Sequence, residues 1–252
     1  MIIIYSTPYR IMRIHLAVDY ISDYVFWPIF RLDGTLLAVE MISHFTGLSG
    51  KLSMPADILL TQLSPRQQYD VVCEQLLFIK DKSAWFIDNH VQLVLKVGPQ
   101  ITEILMKSDV LRSELKRLDF VLLEINELFP HLSQGKENAT LLNLSRSVHL
   151  WLDNFGSGKT TLKPLHDGLV RGVKLDGQFM EQLLSRPTNT LMMEPLLRTI
   201  KNSYSGISIV AKEIDTIATL NQMKQLNIDA VQGQMWPAVH FDRLEQHTAL
   251  IG

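Results

Sequence analysis

The sequence predicts an α/β chain that closes into one (βα)8 barrel of the TIM type, with its first strand antiparallel to the second. Three observations predict it. Short apolar runs alternate along the chain with segments whose apolar residues recur every three or four positions, as in strands alternating with helices. Eight such runs occur, the number that closes a barrel. The 252 residues suit that fold as a single domain, although two small domains would also fit the length.

Taken in order, the first two strands are Tyr24 to Ile29 and Leu36 to Ile42. Only Arg31-Leu32-Asp33-Gly34-Thr35 separates them, and Asp-Gly is a hairpin signal, so this pair is read as antiparallel. A helix over Pro65 to Ile79 leads to a strand at Val91 to Val97, and a helix over Gln100 to Lys107 leads to Phe120 to Ile125. Strands follow at Leu150 to Asp153 and Gly172 to Leu175, then helices at Phe179 to Leu184 and Pro195 to Ser203. Strand Ile207 to Ala211, helix Thr216 to Leu226 and strand Ala230 to Val231 complete the set. The helices' apolar stripes face the sheet. Residues 21–252 are read as the barrel and 1–20 as an N-terminal extension, with Met12, before Arg13-Ile14-His15, an alternative start that would leave 1–11 without a structural role.

Composition narrows the classes. Hydrophobic residues at 46% and charged residues at 20% are ordinary for a globular core. Lys plus Arg is 24 against 26 for Asp plus Glu, and a net charge of −2 gives no field to gather nucleic acid or anionic lipid. Neither DNA binding nor a membrane partner is expected. Pro8, Arg10, Arg13 and Asp19 break up the apolar start, so it offers neither a span nor a signal-peptide core. Cys73 is the single cysteine, which excludes an intramolecular disulfide and leaves carboxylates, amides and imidazoles as metal donors. The cytosol is the expected compartment.

Polar residues recur at the carboxyl ends of the predicted strands: Glu40, Lys96, Glu124 and Glu127, Asp153 and Asn154, Lys174 and Asp176, Lys212 and Asp215, and Gln232. That rim of a (βα)8 barrel carries active sites, so these residues are read as one cluster. Each taken alone would serve as well to cap a strand or helix or to pair with a neighbour.

The segments around them resemble the EAL domains, Mg- or Mn-dependent phosphodiesterases that open cyclic di-GMP. The resemblance runs from about Tyr24 to Pro237. Val39-Glu40-Met41-Ile42-Ser43-His44-Phe45 stands at the Glu-Ala-Leu signature and Leu123 to Glu127 at the Glu-x-x-Glu strand. Trp151 to Gly158 stands at the Asp-Asp-Phe-Gly loop, Val173 to Asp176 at the Lys-x-Asp strand, Ile209 to Thr216 at the Ala-Glu-Gly segment, and Val231 to Pro237 at the Gln-Gly strand.

Measured against that pattern, Glu40, Glu124, Asp153, Lys174 and Gln232 remain. Lys96 stands in place of a metal-ligand Asn, Asn154 in place of the second Asp, Lys212 in place of a Glu, and His44 in place of the substrate-binding Arg. Trp27 replaces a Gln and Lys159 a Tyr. These changes make the site about four charge units more positive, the charge of two divalent ions, which need carboxylate oxygens to hold them together. The resemblance therefore implies a vestigial site with no metal and no cofactor. Lys96 and Lys212 are expected in the metal space, paired with Glu40, Glu124 and Asp153, and Lys96→Ala is expected to cost ~3 to 5 kcal/mol as a broken buried pair.

Within the family, the His44 signature, the Phe129-Pro130-His131-Leu132 loop with Gly135-Lys136-Glu137-Asn138, and the Val231 to Val239 ending resemble degenerate members that repress flagellar genes. The resemblance implies binding to the FlhD subunit of the flagellar activator FlhD/FlhC, which keeps it from promoter DNA. The interface has no location in the sequence. Two alternatives follow from the same site: a metal-free cyclic di-GMP receptor using Lys96, Lys159 and Lys212, and a residual phosphodiesterase.

Other patterns carry less. Gly156-Ser157-Gly158-Lys159-Thr160-Thr161 misses the phosphate-loop template, because Asp153 occupies its first glycine and would repel phosphate. The eight histidines show no zinc spacing, and no Gly-x-Ser-x-Gly elbow occurs. Met192-Met193 and Trp236 are read as packing residues. An exposed Phe129 or Leu128 would suit a partner contact.

Overall fold

The computed structural model describes residues 13–15, 19–47, 53–158, 161–184, 187–204 and 206–247. Lys159 and Met12 lie outside the described residues, as do the side chains of Met192 and Met193. The strands are β1 (Arg13–His15), β2 (Asp19–Arg31), β3 (Leu36–Gly47), β4 (Ser53–Pro55), β5 (Gln92–Lys96), β6 (Val121–Ile125), β7 (His149–Phe155), β8 (Gly172–Leu175), β9 (Ser208–Ala211), β10 (Ala230–Val231) and β11 (Val239–His240). Eight of them close a ring in the order β2, β10, β9, β8, β7, β6, β5, β3 and back to β2, with β1, β4 and β11 paired outside it.

The reversed first strand follows from its turn. Gly34 adopts φ 87°, where glycine carries no Cβ penalty, and Asp33 Oδ1 accepts hydrogen bonds from the Thr35 backbone N–H and Oγ1 at 2.9 and 2.7 Å. β2 then runs antiparallel to both β3 and β10, while the remaining ring neighbours pair in parallel.

Between the ring strands the chain returns on the outside through helices. Ala56–Gln62, Pro65–Asp81 and Ser83–Asp88 lie between β4 and β5, and Pro99–Lys107 and Asp109–Lys116 between β5 and β6. Four expected helices start elsewhere than predicted, the Pro99–Lys107 helix by a single residue. The 177–184 helix begins two residues earlier, at Gly177. The Pro187–Ser203 helix contains Pro195 inside rather than at its start, so the preference of proline for a first turn misplaced that boundary. The Thr216 hydroxyl is a cap for Ile217–Met223, accepting from the Thr219 N–H at 3.1 Å.

The barrel interior is filled in layers, because successive inward positions on a strand are two residues apart. One layer consists of Ile29, Ala38, Val94, Leu122, Trp151, Val210 and Ala230, one residue from each of seven ring strands and all nearly inaccessible. The eighth strand contributes Gly172, opposite Trp151, where a Cβ would lie 2.6 Å from the indole Nε1. Gly172→Ala is therefore expected to destabilise by about 1–3 kcal/mol through overpacking, read as a lower urea midpoint.

Candidate functional site

Two residues further along each parallel strand or its immediate extension lies the next inward layer. Ala38 leads to Glu40, Val94 to Lys96, Leu122 to Glu124, Trp151 to Asp153, Gly172 to Lys174, Val210 to Lys212 and Ala230 to Gln232. On the reversed strand the matching position is Trp27, in register with Glu40. The period of two that makes an apolar layer thus delivers three carboxylates, three ammonium groups and one amide to a single ring at the barrel mouth.

Lys174, only 1% exposed, lies 2.6 Å from Glu40 Oε2 and 2.6 Å from Glu124 Oε2. Asp153 takes two further lysines: Lys212 Nζ donates to Oδ1 at 2.5 Å and Lys96 Nζ to Oδ2 at 3.2 Å. Lys212 also donates to Asn154 Oδ1 at 2.7 Å, and the Asn154 amide donates to Glu127 Oε2 at 3.2 Å. Asn154 has φ 53°, a left-handed conformation that asparagine tolerates better than most residues. Gln232 Nε2 donates to Glu40 Oε2 at 3.1 Å.

The two acids that share Lys174 respond in opposite directions. Burial raises the Glu40 carboxyl, but Lys174 and the Gln232 amide more than offset it, and the net shift is downward. Glu124 is more deeply buried, and neither of its oxygens receives a well-directed hydrogen bond despite the close ammonium. Burial, reinforced by Glu40 and Asp153, outweighs Lys174 and pushes its carboxyl up to about 7. Asp153 would also be raised by burial, yet Lys212, Lys96 and Lys174 hold it at about 2. Lys174 itself is raised, its burial outweighed by Glu124, Glu40 and Asp153.

This geometry corrects one expectation. Glu40 is paired by Lys174 and Gln232, whereas Lys96 and Lys212 converge on Asp153, with Lys96 a distant 3.9 Å from Glu124. The Lys96 side chain is 53% exposed, and Lys212 also compensates Asp153, so the broken-buried-pair magnitude does not apply to it. Lys96→Ala is instead expected to cost at most about 1 kcal/mol, as for solvent-screened pairs, measured by urea denaturation.

Not every predicted rim residue joins the ring. Asp176 Oδ1 accepts the Phe179 N–H at 2.9 Å, and Asp215 Oδ1 accepts the Gln234 N–H at 2.8 Å, so both order the local backbone. Phe129 is buried at 4% and leaves Leu128, 68% exposed, as the apolar residue on the outside of its loop. Trp236 packs against Phe30 with ring centroids 5.2 Å apart. Sequence reasoning missed Gln75, whose amide donates to Ser43 Oγ at 2.9 Å, because nothing in an outer helix marks a polar residue turned toward a strand.

The ring does not suit a pair of divalent cations. Both Asp153 oxygens accept lysine ammonium groups, Lys212 on Oδ1 and Lys96 on Oδ2, where a cation would need them. Among the described residues no group of three or more His, Cys, Asp or Glu side chains is placed to hold a metal ion.

A closed eight-strand barrel with its first strand reversed and its polar residues gathered on the carboxyl rim defines the class, and the chain belongs to the EAL domain family, matching it over residues 25–237. Its similarity to individual proteins is more specific. It is 35% identical over 235 residues to YdiV of Escherichia coli (strain K12), across 92% of this chain and 98% of that protein. It is 32% identical over 225 residues to the anti-FlhC(2)FlhD(4) factor YdiV of Salmonella typhimurium (strain LT2), across 89% of this chain and 94% of that one. The crystal structure of the EAL-like domain protein YdiV aligns with a TM-score of 0.83 at 33% identity, covering 90% of this chain and 96% of that chain. The cyclic di-GMP complex of the phosphodiesterase PaMucR aligns at 0.69 with 16% identity, covering 88% and 94%, which shows the shared fold alone.

Proposed function

We propose that this chain is a catalytically inactive EAL-like anti-activator that acts by binding. It holds the FlhD subunit of FlhD/FlhC in the cytosol, keeps that activator from promoter DNA, and so lowers flagellar gene expression and motility. The observation that carries the non-catalytic part lies at the barrel mouth, where Lys96 and Lys212, the two lysines that depart from the family pattern, take up both oxygens of Asp153. The partner is supported by likeness along nearly the whole chain to proteins named anti-FlhC(2)FlhD(4) factors. No described helix is long and apolar enough to cross a membrane, which accords with a partner met in solution.

Size-exclusion chromatography with light scattering on the chain mixed with purified FlhD, with and without cyclic di-GMP and Mg, tests the reading. The expected result is a complex whose mass and yield do not depend on nucleotide or metal. Absence of a complex would overturn the partner assignment. A complex that requires cyclic di-GMP would replace it with the receptor reading, and release of linear pGpG would restore the enzyme.

A further inference from the structure

β3 and β5 pair only from Ala38 with Gln92 to Met41 with Leu95. Beyond that point β3 continues to Gly47, held by β2 on one side and, from His44 to Thr46, by β4 on the other, while β5 ends at Lys96 and the chain turns through Gly98 into the Pro99–Lys107 helix. Where the two paths diverge, residues of β3, β5 and the helices outside them line a cavity of about 850 Å³, within the ~300–1,000 Å³ range of small-molecule sites.

The cavity is graded in character. At the mouth it is lined by Lys96, His44 and Glu40. Its lining also includes Val72, Leu76 and Leu105, all buried apolar residues of the main core, while the polar Gln75 beside them is hydrogen-bonded to Ser43.

The charge at the mouth is positive where it is available. Glu40 is already compensated by Lys174 and Gln232. Lys96 is half-exposed and uses one of its three N–H donors on Asp153, whose other oxygen is held independently by Lys212. The Lys96 ammonium can therefore accept an anionic group without leaving Asp153 uncompensated.

We propose that this cavity binds a linear aliphatic monocarboxylate, with the carboxylate on Lys96 and the chain running inward toward Val72, Leu76 and Leu105. One anionic head and an unbranched apolar tail match the exposed Lys96 ammonium, the one lysine among the described residues of the lining, and a largely apolar interior. The inference is independent of the FlhD assignment.

Isothermal titration of the full chain with dodecanoate, below its aggregation concentration, tests it, with dodecanol as the uncharged control. The expected result is saturable one-to-one binding, weakened roughly tenfold for dodecanol and by a similar factor in Lys96→Gln, as for loss of a charge-assisted hydrogen bond. Leu76→Trp, which fills the interior, is expected to abolish binding. Ile101→Trp, at a half-buried position of the same lining, serves if circular dichroism shows that Leu76→Trp fails to fold. No saturable binding of dodecanoate would overturn the proposal, as would equal binding by a folded cavity-filling variant or equal affinity for dodecanoate and dodecanol.

Discussion

Lys174→Met is expected to lower the stability of the chain by about 3–5 kcal/mol at neutral pH, the range for removing one partner of a buried ion pair. Lys174 is 1% exposed and stands 2.6 Å from both Glu40 and Glu124, so its loss leaves two buried acids facing each other with no ammonium between them. Lys96 is too far away to take over, at 3.9 Å from Glu124 and half in solvent. Adding Glu40→Gln and Glu124→Gln to Lys174→Met is expected to recover much of the loss, since replacing a whole buried charged group by neutral side chains is often close to neutral. Urea denaturation of the single and triple variants reads both effects. An unchanged midpoint for Lys174→Met would contradict the account of the ring as a mutually compensated set.

The second large effect is on pH dependence. Burial holds Glu124 at about 7 in the folded chain, against the ordinary 4.5 of an unperturbed Glu. Between those values the folded state keeps a proton that the unfolded state releases, so stability falls as pH rises from about 4.5 to 7 and levels off above. Integrated over that window the decline from this group is about 3 kcal/mol. Glu124→Gln is expected to remove it, leaving a flatter stability curve between about pH 5 and 7. Asp153 works in the opposite sense. Its carboxyl is lowered to about 2, so its contribution is present above about pH 4 and is lost as pH falls toward 2. Denaturant midpoints of parent and Glu124→Gln from about pH 4.5 to 8, above the Asp153 window, isolate the Glu124 effect, and parallel curves would show that Glu124 is already ionised across the range.

Much of the frame is legible in the sequence. Gly172–Leu175 and Ala230–Val231 are strands with the predicted bounds, since both are short apolar runs between turn residues. β3 runs to Gly47, five residues past its predicted end, because Ser43, His44 and Thr46 interrupt the apolar run while the ladder with β2 continues. The helices Asp109–Lys116 and Ala139–Ser147 escape a reading by periodicity, although Ser108 and Asn138 cap their starts.

The ring residues are legible from the rule that functional groups lie at carboxyl ends of barrel strands, and the spacing of two from the apolar layer explains why one polar residue per strand suffices. Their pairing is not. Lys174 and Glu40 are 134 positions apart, and which lysine meets which acid is decided by ring order and strand stagger, neither of which is written in local periodicity. The cavity beside β3 is invisible in the sequence for a related reason: it exists because two strands separate, not because of any residue pattern.

That this barrel works by holding a partner, and performs no chemistry on a nucleotide, is decided by fluorescence anisotropy of labelled flagellar promoter DNA bound to purified FlhD/FlhC. The complex is titrated with the chain in the presence and absence of cyclic di-GMP and Mg. The chain is expected to strip the activator from DNA to the same extent in both conditions, with the nucleotide recovered intact. FlhD/FlhC remaining on the promoter at a saturating excess of folded chain, or displacement accompanied by nucleotide cleavage, would contradict it.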